Sequence, residues 1–133
     1  MKGRILHIST FIAYMILALC LTACGGSRSE NLQETNDTTK ELVEQVESGD
    51  IIVSMSIYSN NEQVGSLERS YTGNDKQITT HNGDIVLYNG NNIVVFYGSN
   101  SWSYTRLGKM DISEHEVIEL LSNGDVELRI SIE

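Results

Sequence analysis

Among its 133 residues the chain has no proline, two cysteines, two phenylalanines and one tryptophan. Each scarcity removes a class of protein. Without proline there is no collagen-like or polyproline architecture, and two cysteines cannot staple a disulfide-dense scaffold. Basic residues are also few: nine Lys and Arg stand against eighteen Asp and Glu, for a formal charge of −9. Affinity for a polyanionic duplex comes largely from Lys and Arg at its phosphates, so a nucleic-acid partner is not expected. The length suits one domain with one modest core.

The N-terminus has its own pattern. Lys2 and Arg4 precede an almost unbroken apolar run from Phe11 to Leu21, and the first acidic residue is Glu30. That is the layout of a secretory signal peptide. The run closes on Leu21-Thr22-Ala23-Cys24-Gly25-Gly26, which resembles the bacterial lipobox. The resemblance implies removal of residues 1–23 and attachment of diacylglycerol to the Cys24 thiol. A transmembrane helix is the weaker reading, because His7, Ser9 and Thr10 shorten the apolar stretch below the ~20 residues that a span needs. Cys20 would leave with the signal, so no internal disulfide is expected. The remaining chain would carry seven Lys and Arg against eighteen Asp and Glu, a net charge of −11. Lipid at Cys24 would hold such a protein on the extracytoplasmic face of the cell membrane or the outer membrane, while its charge keeps the domain off anionic headgroups.

Residues 24–37 contain one large apolar residue, Leu32, and read as a flexible tether. The folded domain is expected over 38–133. Thr38 and Glu41 match a capping box, and Leu42, Val43 and Val46 share a helical face, so a helix is expected over about 38–48. Ile51, Val53, Met55 and Ile57 alternate with Ile52, Ser54, Ser56 and Tyr58, the period of a half-buried strand. A shorter strand follows from about Gln63 to Arg69, with Gly65 as the site of a bulge. The runs 84–88 and 93–97 flank Asn89-Gly90, a hairpin turn signal, and both runs are apolar on both faces. Gly98 to Ser103 reads as a loop and 104–110 as a strand. Ser113 and Glu116 form a second capping box for a helix bearing Val117, Leu120 and Leu121. A last alternating strand starts at Val126. Five or six strands and two short helices define a mainly β fold, a small barrel or rolled sheet with helices at its ends.

Three stretches, Gly83-Asp84-Ile85-Val86-Leu87-Tyr88, Ile93-Val94-Val95-Phe96-Tyr97 and Ser103-Tyr104-Thr105-Arg106-Leu107-Gly108-Lys109-Met110-Asp111, together resemble the cyclophilin-like domain of small secreted and lipid-anchored bacterial proteins. The 126–130 strand is similar to the last strand of that family. The resemblance implies a cyclophilin-type β-barrel over residues 38–133. It also implies an N-terminal β-hairpin that this chain lacks, which would leave the barrel incomplete on one side.

True cyclophilins isomerise X-Pro bonds with an Arg and an apolar, aromatic pocket. No segment here matches the stretch that supplies them, so no catalytic residue is assigned. Arg106 either points into a groove or pairs with a carboxylate. Tyr88, Tyr97, Trp102, Tyr104 and Arg106 form the candidate binding face, with a peptide or protein as its expected partner. Neither His81 nor the pair His115 and Glu119 makes a metal site, Asp84 and Asp111 have no fixed separation, and no cofactor is expected. No nucleophile lies in a motif with a base and an orienting acid. The expected role is a non-enzymatic, lipid-anchored binding or accessory module, with a weak prolyl isomerase or chaperone for exported chains as the alternative. Cys24→Ser is expected to abolish incorporation of a radiolabelled fatty acid, and unchanged labelling would refute lipid attachment.

Overall fold

A computed structural model describes residues 36–131. The segments read from the sequence as a signal peptide and, but for its last two residues, as a tether lie outside the described residues, as do Cys24, Ile132 and Glu133. The domain begins with helix α1 (Asp37–Val46) and continues through strands β1 (Ile51–Tyr58), β2 (Glu62–Ser66), β3 (Lys76–Thr79), β4 (Asp84–Tyr88), β5 (Asn92–Phe96) and β6 (Ser101–Lys109), then helix α2 (Glu114–Leu121) and strand β7 (Val126–Ile130). No described helix is long and apolar enough to cross a membrane.

The seven strands form one antiparallel sheet in the order β3-β6-β4-β5-β2-β1-β7. Its class, mainly β with two short helices, is the expected one. The sheet does not close into a barrel: β3 and β7 are its two ends among the described residues. The two longest strands each divide their length between two partners. β1 pairs with β7 through Ile51–Met55 and with β2 through Ser56–Tyr58. β6 pairs with β3 through Ser101–Tyr104 and with β4 through Thr105–Lys109. Strands that change neighbours in this way turn the corners of a rolled sheet.

The hairpin β4–β5 lies at the middle of the sheet and is buried on both faces, as its unbroken apolar runs require. Asn89 and Gly90 take φ of 57° and 80°, the left-handed geometry that an Asn-Gly turn supplies at little steric cost. One face carries Ile85, Leu87, Ile93 and Val95, joined by Val53, Met55, Leu107, Leu128 and Ile130, and is covered by Leu42 and Val46 of α1 and by Val117 and Leu121 of α2. The other face carries the smaller cluster of Val86, Val94, Phe96 and Tyr104.

Both helices begin with side-chain caps, and only the second cap is the one read from the sequence. Ser113 N–H and hydroxyl each donate to Glu116 Oε1 at 3.0 Å. Those bonds, the backbone one foremost, hold that carboxyl below the usual Glu range. In α1 the cap is Asn36, not Thr38: Asn36 Oδ1 accepts from Thr39 N–H at 3.0 Å, and Asn36 N–H donates to Thr39 Oγ1 at 3.0 Å. Thr38 is instead buried, its hydroxyl donating to the Thr72 carbonyl. Asn36 Nδ2 also donates to the Arg106 carbonyl at 2.7 Å, which fastens the helix start to β6.

One strand has no local sequence signal, and two further sequence expectations are corrected. Strand β3 holds one large apolar residue, Ile78, and its existence depends on pairing with β6 rather than on a local pattern. Residues 101–103 belong to β6 and are not loop, because Trp102 and Ser103 pair with Ile78 and Gln77. Gly65 is no bulge. It stays in register opposite Ile93, and a Cβ there would lie 2.5 Å from Val53 Cγ1 and 2.6 Å from the Ser54 carbonyl oxygen. The glycine lets β1 pass close over β2 where it exchanges one partner for the other. Gly65→Ala is therefore expected to destabilise the fold by about 1–3 kcal/mol, the usual range for overpacking, measured by denaturant unfolding.

Candidate functional site

A groove of about 420 Å³ opens on the sheet face away from the helices. Its position follows from strand parity. On β6, Trp102 and Tyr104 point to the same face, and on β4 Tyr88 shares that face with Val86. Glu62 and Val64 of β2 lie directly opposite Phe96 and Val94 of β5, so they share it too. Tyr58 ends β1 opposite Glu62. Three rings stand up from this surface: Tyr58, Tyr88 and Trp102 are 64%, 38% and 56% exposed.

Tyr104 anchors the set. Its ring meets Tyr88 edge-on, with centroids 5.9 Å apart, and Phe96 in the same manner at 5.6 Å. Such contacts favour the positive ring edge against a neighbour's negative face. The Tyr104 hydroxyl accepts from Asn100 Nδ2 at 2.9 Å. Burial pushes its pKa above the ordinary tyrosine value, and the nearby Glu62 charge adds to the rise.

Glu62 is the unexpected member. It is 7% exposed, and its carboxyl forms no hydrogen bond or ion pair with another described residue. Loss of water raises its pKa above the usual Glu range. Among the groove's wall residues no side chain is cationic.

Of the five residues read from the sequence as a binding face, the structure brings three together: Tyr88, Trp102 and Tyr104. Tyr97 lies in the helix-covered core, where its buried hydroxyl has no hydrogen-bond partner among the described residues. Arg106 is on β6 but turned to other work. Its Nη1 lies 3.1 Å from Asp84 Oδ2, Lys109 Nζ is 3.3 Å from Asp84 Oδ1, and His81 N–H donates to Oδ2 at 2.9 Å. Asp84 is 2% exposed, so these partners offset the cost of its burial. Arg106 also borders a second, more polar concavity with Asp37, Lys40, Asp75 and Lys76, where charges of both signs face one another.

Sequence reasoning missed Tyr58 and Glu62. The alternation of β1 puts Tyr58 on the outer face, but nothing local says that this face meets Trp102 of β6, 44 positions away. Glu62 carries no local sign at all, since a glutamate after Asn60-Asn61 reads as a turn residue. His115 and Glu119 are exposed on α2, and among the described residues no three His, Cys, Asp or Glu side chains converge.

One antiparallel sheet, helices on one face and an aromatic groove on the other define a small, mainly β domain. The chain belongs to the cyclophilin-like family, whose family model matches residues 25–133. Neither the search of curated proteins nor that of solved structures found a match.

The raised pKa of Glu62 fixes a pH dependence. The folded state disfavours its charged form, so stability is greatest below the unfolded-state pKa and falls as pH rises through the folded-state value. Glu62→Gln is expected to raise the thermal midpoint at pH 7 and to leave it unchanged near pH 3; an equal shift at both pH values would contradict the burial account.

Proposed function

We propose that this protein is a lipid-anchored binding module, held at an extracytoplasmic membrane face through Cys24, with the aromatic groove as its ligand site and no catalytic role. The observation that carries the reading is the cluster of Tyr58, Tyr88 and Trp102, three large rings left exposed around a concavity on the sheet face that no described helix covers. Folding alone gives no reason to leave such rings in water, whereas a binding partner would bury them. A peptide or protein segment suits an open trough better than a small molecule does, since drug-sized ligands are usually buried over most of their surface.

The anchor is supported by the charged N-terminus, apolar run and lipobox-like sequence that end at Cys24. A non-enzymatic role is supported by the position of Arg106. Rotation of an X-Pro bond must overcome a barrier of roughly 20 kcal/mol, and the guanidinium that would assist it here is held by Asp84 beside the second concavity, not in the aromatic groove.

Two measurements test the proposal. Selection from a randomised peptide library is expected to return a recurring motif with the native protein and none with Trp102→Ala; failure of the native protein to select any motif would refute the binding role. In a protease-coupled prolyl isomerisation assay no acceleration is expected, and acceleration that Arg106→Ala removes would establish the isomerase alternative.

A further inference from the structure

We propose that the ligand group seated in the aromatic groove is a Lys or Arg side chain of a polypeptide, packed along the exposed rings with its charge toward the Glu62 carboxylate. This rests on the groove being the ligand site. The first observation is Glu62 itself: a residue 7% exposed that lines the concavity, whose carboxylate receives no cation or hydrogen-bond donor from another described side chain. Elsewhere the fold does supply partners for a buried carboxylate, since Asp84 has both Arg106 and Lys109. An apolar ligand would complete the desolvation of Glu62 without compensation, and an anionic one would repel it. A cation offsets that desolvation most fully, through its charge as well as its hydrogen bonds.

The second observation is the ring set. Tyr58, Tyr88, Trp102 and Tyr104 surround the same space, and aromatic faces attract cations through their negative quadrupole, tryptophan most strongly. The molecule already uses this chemistry elsewhere, with the Arg69 guanidinium 4.7 Å from the centre of the Tyr71 ring.

Depth and shape select the kind of cation. Tyr58, Tyr88 and Trp102 are exposed, Glu62 is a largely buried residue of the same concavity, and Val64 and Val94 add apolar wall. A long aliphatic stem with a terminal charge fits that arrangement, because its methylenes lie on apolar surface while the head reaches the carboxylate. The acidity of the whole chain, eighteen Asp and Glu against nine Lys and Arg, raises the local concentration of cationic segments and speeds their encounter.

Because the chain has one tryptophan, the fluorescence of Trp102 reports on the groove alone. The test titrates the purified protein with four probes: N-acetyl-lysine methylamide, its arginine counterpart, its norleucine counterpart, and tetramethylammonium. Saturable change with the lysine and arginine probes is expected. Norleucine, which keeps the stem and lacks the ammonium, is expected to bind at least tenfold more weakly, as is tetramethylammonium, which has charge without the stem. Loss of a charged hydrogen-bond acceptor predicts that Glu62→Gln weakens lysine binding roughly tenfold or more while leaving norleucine binding unchanged. Equal binding of norleucine and lysine would overturn the cation inference and leave groove binding standing. Tetramethylammonium binding as tightly as lysine would overturn the side-chain assignment. An unchanged lysine affinity in Glu62→Gln would overturn the role of the carboxylate. No response to any probe would also overturn the inference, with the peptide-library selection deciding the binding role separately. The folding of the variant is checked by its unfolding transition.

Discussion

A hairpin that is apolar on both faces cannot exist in water unless something covers each side, and the architecture follows from that demand. Val86, Leu87, Ile93, Val94, Val95 and Phe96 are all at or near zero exposure. The two helices and the flanking strands cover one face. The other face has no helix among the described residues, and its cover is supplied by side chains rising from the sheet, chiefly Tyr104 against Phe96 and Tyr88. That difference in cover makes one face a core and the other a groove. The helix-covered side is sealed by matched apolar surfaces, while the uncovered side ends in amphipathic rings that tolerate water on their rims.

The turning of the sheet brings distant residues to that groove. β1 reaches it because Gly65 allows a close crossing of backbones, and β6 reaches it because the strand continues past β4 to pair with β3. Tyr58 and Trp102, 44 positions apart in sequence, thus line one concavity. The ionic cluster at Asp84 works in parallel at the other end of β4. It ties the 81–84 turn to β6 through Arg106 and Lys109, and so removes from the groove the one guanidinium that the sequence offered to it.

Much of this fold was legible before the structure. The Asn89-Gly90 hairpin, the alternation of β1, the Ser113 cap and the β7 pattern are local signals whose causes act within a few residues. The errors arose where the deciding contact was remote. Trp102 lies in a Ser- and Asn-rich stretch that favours a loop, yet pairing with Ile78 makes it a strand. Thr38 has the right spacing to cap α1, but its hydroxyl is taken by the Thr72 carbonyl, and Asn36 caps in its place. Of the groove, aromatic content pointed to Tyr88, Trp102 and Tyr104, and could not separate them from Tyr97, because an aromatic ring suits a core as well as a surface.

What the sequence by itself determined is the inventory: a mainly β domain, a hairpin destined for the centre, and an acidic composition. These depend on composition, periodicity and neighbouring residues, which act before any tertiary contact forms. Only the tertiary structure decided which rings meet, that Arg106 serves Asp84, and that Glu62 sits in an aromatic groove with no partner among the described residues. Burial and pairing are properties of the space between strands, and that space exists only once strands from opposite ends of the chain share a sheet.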